Sequence, residues 1–359
     1  MTVAATRTLD LKVGDVVEIR SEAEILATLD ENGELDALPF MPEMLQYCGK
    51  RLAVGKVAHK ACDTLERTGV RKMENAVHLA GVRCDGGGHG GCEAACMIYW
   101  KHAWLKKVEG AGVTPDVPAH PQTPGFSPPS DGPGAANGRS SRLLPLLTIA
   151  SRRPDGDDGE PRYRCQATEM RRATPQAMPV LKLSQYVDDV RTGNVGAMWA
   201  ARTLLIGVYN RMQDVAPKGL KLHGGRHWGA LNGQVTGKTP TAETGLQPGD
   251  LVRIKSREEI EATITAEGLN RGLGIDAEMA RFCGRTVRVA RRIHHILDEH
   301  TGKMLHMRSP CIVLEGVVCE GAFSAGCPRA ITSYWREIWL EKLESAPAPD
   351  RDTDAAGVR

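Results

Sequence analysis

The thirteen residues CDGGGHGGCEAAC bring Cys84, Asp85, His89, Cys92 and Cys96 into one short stretch. Thiolates and imidazole are soft or borderline donors, so the grouping points to a transition metal or an iron–sulfur cluster. Five glycines in the stretch let the backbone wrap closely around a bound group. Cys92 and Cys96 are four residues apart, and with Tyr99, Trp100, Ala103 and Trp104 they are expected to form one stripe of an amphipathic helix. Both sulfurs would then stand at its N-terminus, where the helix dipole favours thiolate. Cys84, Cys92 and Cys96 are read as ligands of one centre, with Cys62 the preferred fourth. Cys48 and Cys165 are alternatives, and His89 is held in reserve. The C-x7-C-x3-C spacing lacks the close CxxC knuckles of common zinc sites, which places a 4Fe-4S cluster ahead of zinc as the cofactor. Taken singly, each cysteine also reads as a small buried hydrophobe.

The CDGGGH run resembles the Cys-Asp-Gly-(Ser/Ala/Thr)-His segment of CDGSH-type iron–sulfur proteins. It has an extra glycine before His89 and no Cys-x-Cys upstream. The resemblance implies that this loop ligates a cluster.

Catalytic candidates lie elsewhere. His59 and Asp63 on one strand face could form a general-base pair, against a plainer reading as a backbone-bonded histidine and a turn cap. In RYRCQATEM, Cys165 beside Arg164 could be a nucleophile or an extra ligand, with Glu169 close in sequence. Glu43 and Glu278 precede a shared Met-x-x-aromatic-Cys-Gly run and could order a loop. His223, Arg226, His227 and Trp228 share a Gly-rich loop suited to an anion or a planar ligand. The chain has no dinucleotide-binding, P-loop, G-x-S-x-G or HExxH motif.

The elements that must position these groups come in two copies. Residues 14–108 align with 249–343 at a constant offset of 235, without a gap. GDVVEIRSEAEILAT matches GDLVRIKSREEIEAT, and YWKHAWLKKV matches YWREIWLEKL. Each copy reads as a strand, a helix begun by a capping box at Ser21 and Glu24, two further strands, and a final helix. The opening GDVVEIRS, with Gly55-Lys56-Val57 in the next strand, resembles SH3-like barrels such as those of nitrile hydratase β-chains. That resemblance implies a small barrel and no particular function. The offset pairs Cys48 with Cys283, Cys84 with Cys319 and Cys92 with Cys327. It sets Leu297, Ser324 and Ile331 where the first copy has Cys62, His89 and Cys96. The second copy is therefore expected to be a degenerate partner.

The expected class is α+β: two small SH3-like domains, each with helices, plus a partly helical middle region. The boundaries are 1–108 for the first repeat, 109–140 for a Gly/Pro-rich linker, 141–247 for the middle region, 248–345 for the second repeat, and 346–359 for a tail of disordered composition. In the middle region KLSQYVDDVR and VGAMWAARTLLIGVYNRM read as helices.

Lys+Arg 46 against Asp+Glu 44 is too balanced to hold a polyanion by bulk charge, and 4% aromatics leave little for base stacking, so nucleic acid is not the expected partner. No apolar run approaches the ~18 residues that span a bilayer. The opening residues MTVAATRTLDLK lack a signal-peptide layout, so the expected location is the cytoplasm, where clustered cysteines serve metals or redox chemistry. These readings converge on a metal-dependent oxidoreductase or sulfur transferase of bacterial specialised metabolism, acting on a small molecule. The alternative is a zinc-stabilised scaffold or nucleic-acid-binding protein without catalysis.

Overall fold

The computed structural model describes residues 8–109, 114–116 and 141–343. Nearly all of the 109–140 linker and the whole 346–359 tail lie outside the described residues.

The first half contains β1 (Val16–Ile19), α1 (Glu22–Leu26), β2 (Arg51–Val57), β3 (Lys60–Cys62), β4 (Val70–Lys72), β5 (Ala76–Arg83), β6 (Met97–Lys101) and β7 (Leu105–Lys107). Its main sheet runs β6-β5-β2-β1-β7, antiparallel throughout. The middle region supplies α2 (Leu144–Ala150), α3 (Gln166–Ala173), β8 (Ala177–Met178), α4 (Ser184–Arg191) and α5 (Ala197–Val215). Here β8 extends a small sheet in the order β8-β4-β3. The second half holds β9 (Leu251–Ile254), α6 (Arg257–Glu261), β10 (Thr286–Leu297), β11 (Met304–Leu314) and β12 (Leu340–Lys342), with the sheet order β11-β10-β9-β12. The architecture is thus mixed α/β, with two curled antiparallel half-barrel sheets and several helices.

Local chemistry accounts for the shared parts. Val17 and Ile19 alternate with half-buried neighbours along β1, as a strand with one buried face requires. Helix α1 starts at Ser21, whose Oγ accepts from the Glu24 amide while the Glu24 carboxylate accepts from the Ser21 amide. Ser256 and Glu259 repeat this capping box at α6. In the first sheet Val17 faces Leu52 and Lys107; in the second Val252 faces Val287 and Lys342. Trp104 Nε1 donates to Thr28 Oγ1 at 3.1 Å, and Trp339 Nε1 to Thr263 Oγ1 at 2.9 Å. Trp100, Trp104, Trp335 and Trp339 are all fully buried, one pair in each core.

The helix expected through Cys92–Trp104 is absent. Residues Met97–Lys101 form β6, and Trp104 closes a short 3-10 turn before β7. Positions 92, 96, 100 and 104 are spaced by four, which suits period two as well as period 3.6, so the stripe did not discriminate. Ala95 at φ 48° breaks any helix between the two cysteines. The sequence Ile98-Tyr99-Trp100 then favours a strand, paired with β5.

The halves meet by reciprocal crossings. The Cys62 amide donates to Cys327 Sγ at 3.1 Å, and the Leu297 amide to Cys92 Sγ at 3.3 Å. Lys60 Nζ donates to Ala325 O at 2.5 Å, and His295 Nε2 to Gly91 O at 2.9 Å. Each strand end therefore rests on the Gly-rich loop of the other half. Lys60 is also paired with Asp189 of α4 at 2.6 Å, both side chains fully buried, which ties the helical region to the same junction.

His78 on β5 gives the fold a pH signature. Its ring is fully buried against Tyr99, and Nδ1 donates to Ile98 O at 2.9 Å. Burial lowers its pKa to about 4. Below the ordinary imidazole value near 6.5 the unfolded chain takes up a proton that the native ring refuses, so stability falls as pH drops from there to about 4. Urea unfolding should show His78 contributing a loss of roughly 3 kcal/mol across that window. In His78→Asn the acid limb should be shallower by that amount; an unchanged limb would assign the loss to other groups.

Candidate metal centre

The expected ligand loop is built by backbone turns rather than by a helix. The Cys84 amide donates to Cys96 O at 2.9 Å, closing the loop at its base. The amides of His89 and Gly91 both donate to Gly86 O at 3.0 Å. Gly86 has φ +75°, and a Cβ there would lie 2.2 Å from Cys92 O, so only glycine fits. The second half repeats the turn, with Ser324 and Gly326 donating to Gly321 O.

This loop faces a cavity of about 190 Å³ where the two halves meet. Cys84, Cys92, Cys96 and Cys165 all line it. Cys165 reaches it as the N-cap of α3, where its amide donates to Thr168 Oγ1 at 3.0 Å. Gln166 pins that helix end to β6, since its amide group bonds both the N–H and the C=O of Tyr99. Met41, Met97, Met170, Leu297 and Ile331 give the walls an apolar character, and Glu43, His89, Glu299 and Arg329 supply the charged or titratable groups.

Glu43, Cys84 and His89 form the tightest donor set. The Cys84 thiol donates to Glu43 Oε1 at 3.2 Å, and His89 lies 3.5 Å from each partner, through Nδ1 to Glu43 and Nε2 to Cys84. The three ligand atoms are within 4.8 Å of one another, and no other group among the described residues meets that condition. Glu43 Oε2 and His89 Nδ1 are buried without a hydrogen-bond partner. Such orphans are costly in an apolar setting, and a bound cation would satisfy both.

The electrostatics differ from the helix-dipole expectation. With no helix, burial dominates and pushes the Cys84 thiol well above its ordinary value, helped by Glu43 and the neighbouring sulfurs. Burial likewise raises Cys96 to about 12, and it raises Cys165. Burial disfavours the His89 imidazolium, but Glu43 and Cys92 outweigh it and the pKa rises. The thiols are therefore neutral in the metal-free protein, and a metal would displace their protons.

The other predicted residues fall elsewhere. Cys62 lies outside the cavity, against Cys327. Cys48 is half-buried away from it, with its thiol pushed up to about 12 by burial and then by Glu22. His59 sits 3.3 Å from Asp189, whereas Asp63 caps the turn at Leu65, Glu66 and Thr68, so the two share no site. Glu169 is neutralised by Arg153 and Arg172, both at 2.6 Å. The His223–Trp228 loop lies at the surface, with Trp228 packed edge-on to Tyr209. Sequence reasoning gave Glu43 only a loop-ordering role, which its counterpart does perform: Glu278 accepts from the Phe323 amide at 3.1 Å and pairs with Arg281. The first half has Gln46 in place of Arg281 and Gly88 in place of Phe323. Arg329, a buried cation at the cavity edge, left no sequence signal.

No protein-family profile, curated protein or solved structure matches the chain. Among the described residues no helix is long and apolar enough to cross a membrane.

A Cβ at Gly88 would stand 2.5 Å from Glu43 Oε2 and 2.8 Å from Pro42 Cδ. Gly88→Ala should therefore lower stability by about 1–3 kcal/mol, as overpacking does. Gly219→Ala, which meets nothing within 4 Å, is the control and should leave the melting temperature within a degree or so of the parent. Equal melting temperatures for the two variants would show that Glu43 is not confined as described.

Proposed function

We propose that the chain is a thiolate-ligated metal protein whose centre is an iron–sulfur cluster held by Cys84, Cys92, Cys96 and Cys165. One observation supports this reading: four cysteines from two separate segments are among the residues that line a single cavity of about 190 Å³. Such a space exceeds what one ion needs, and sulfur donors around an apolar chamber suit a cluster. A cluster would supply one-electron transfer or a Lewis-acidic iron. The protein's own part is to exclude water with the methionine and leucine walls and to set the buried Arg329 guanidinium near the added negative charge. On this reading the chain acts as a cytoplasmic oxidoreductase or sulfur transferase on a small molecule. The shared offset and matching strand registers support a tandem duplication of an SH3-like unit, in which the second copy retains the frame and has lost Cys96 and His89.

The compact Glu43–Cys84–His89 set favours a second reading, a single zinc ion in a scaffold protein. Iron, zinc and acid-labile sulfide analysis of protein purified without oxygen separates the two. The cluster reading expects iron and sulfide in equal amounts, lost in Cys165→Ser and retained in Cys62→Ser. Zinc without sulfide, unaffected by Cys165→Ser, would replace it with the second reading.

A further inference from the structure

The thiol that the metal cavity leaves out has a partner of its own. Cys62 ends β3 and meets the second half's Gly-rich loop, where its amide donates to Cys327 Sγ at 3.1 Å. The two thiols are near enough to shift each other's ionisation. Arg329 Nη1 lies 3.1 Å from Cys62 O and 4.0 Å from its sulfur, and it also donates to Thr64 Oγ1 at 3.2 Å. Glu299, 3.6 Å from the same guanidinium, is the nearest opposing charge. As residues, Cys62 is half-buried and Cys327 is 3% exposed. The equivalent crossing on the other side sets Leu297 against Cys92, so only one of the two crossings carries two thiols.

We infer that Cys62 and Cys327 form a redox-active dithiol, which a low-molecular-weight disulfide converts into a reversible cross-link between the two halves of the chain. The Cys62 thiolate attacks one sulfur of the small disulfide, forming a mixed disulfide and releasing one thiolate. Cys327 then attacks Cys62 Sγ, giving the protein disulfide and releasing the second small thiol with the Cys327 proton. Two protein thiols are oxidised and one small disulfide is reduced to two thiols. Exchange is fast when the attacking thiol is ionised near ambient pH. The neighbouring Cys327 thiol, with Arg329 beside it, holds Cys62 down to about 6, while burial keeps Cys327 above its ordinary value. That ordering assigns Cys62 as the attacking thiol and Cys327 as the resolving one. The inference does not depend on the cluster, because neither sulfur lines the metal cavity.

The test treats the full-length protein, as purified, with oxidised glutathione and maps its cysteines by mass spectrometry. The expected product is a Cys62–Cys327 disulfide formed before any other cysteine is modified and removed by dithiothreitol. Cys327→Ser should instead accumulate a stable glutathione adduct at Cys62, and Cys62→Ser should form neither species. A first disulfide between other cysteines, or modification of Cys48 or Cys283 ahead of Cys62, would overturn the assignment. The wild-type map decides this even if a variant fails to fold.

Discussion

Everything at the junction depends on one constraint: each half's Gly-rich turn must present its cysteine sulfur to a strand end of the other half. Gly86 and Gly321 both adopt positive φ and leave no room for a side chain over Cys92 and Cys327. The buried sulfurs of these two cysteines accept the amides of Leu297 and Cys62 across the boundary. Residues of both halves and of α3 line the thiol cavity, so it belongs to neither half alone. The buried Lys60–Asp189 pair fixes α4 to the same boundary. Breaking one partner there would strand a charge in the interior, a cost of several kcal/mol.

Between the two halves the chemistry is one-sided. Glu43 and Glu278 hold equivalent positions, yet Glu278 is spent on the Phe323 amide and Arg281, while Glu43 turns to Cys84 and His89. At the offset of 235, Gln46 stands where the second half has Arg281, and Gly88 where it has Phe323, so Glu43 lacks the guanidinium partner of Glu278 and faces a smaller neighbour. Cys96 faces the cavity where the other half has Ile331, which itself crosses over to serve as wall. The crossing also redistributes the thiols, since Cys62 belongs to the first half in sequence but lies against the second half's loop in space.

Much of the frame was legible because its signals are local. The capping boxes at Ser21 and Ser256, the paired tryptophans and the helices of the middle region follow from short patterns that tertiary context did not override. The segment after Cys92 misled for a definite reason: a spacing of four fits a strand face as well as a helix face, and the pairing of Tyr99 and Trp100 with β5 decided between them. Three of the four cavity cysteines were readable from one glycine-rich run. The fourth place was not, because choosing Cys165 over Cys62 depends on how α3 docks on β6 through Gln166, a contact spanning 67 residues of sequence. Arg329 was invisible for the same reason.

The proposed cluster requires sulfur from the chain to surround a metal centre in this cavity. X-ray absorption at the iron and zinc edges of protein purified without oxygen tests it most directly. The account predicts an iron edge with a sulfur-dominated inner shell and iron–iron scattering beyond it. An inner shell of nitrogen and oxygen, or a single isolated ion with no metal neighbour, would contradict it.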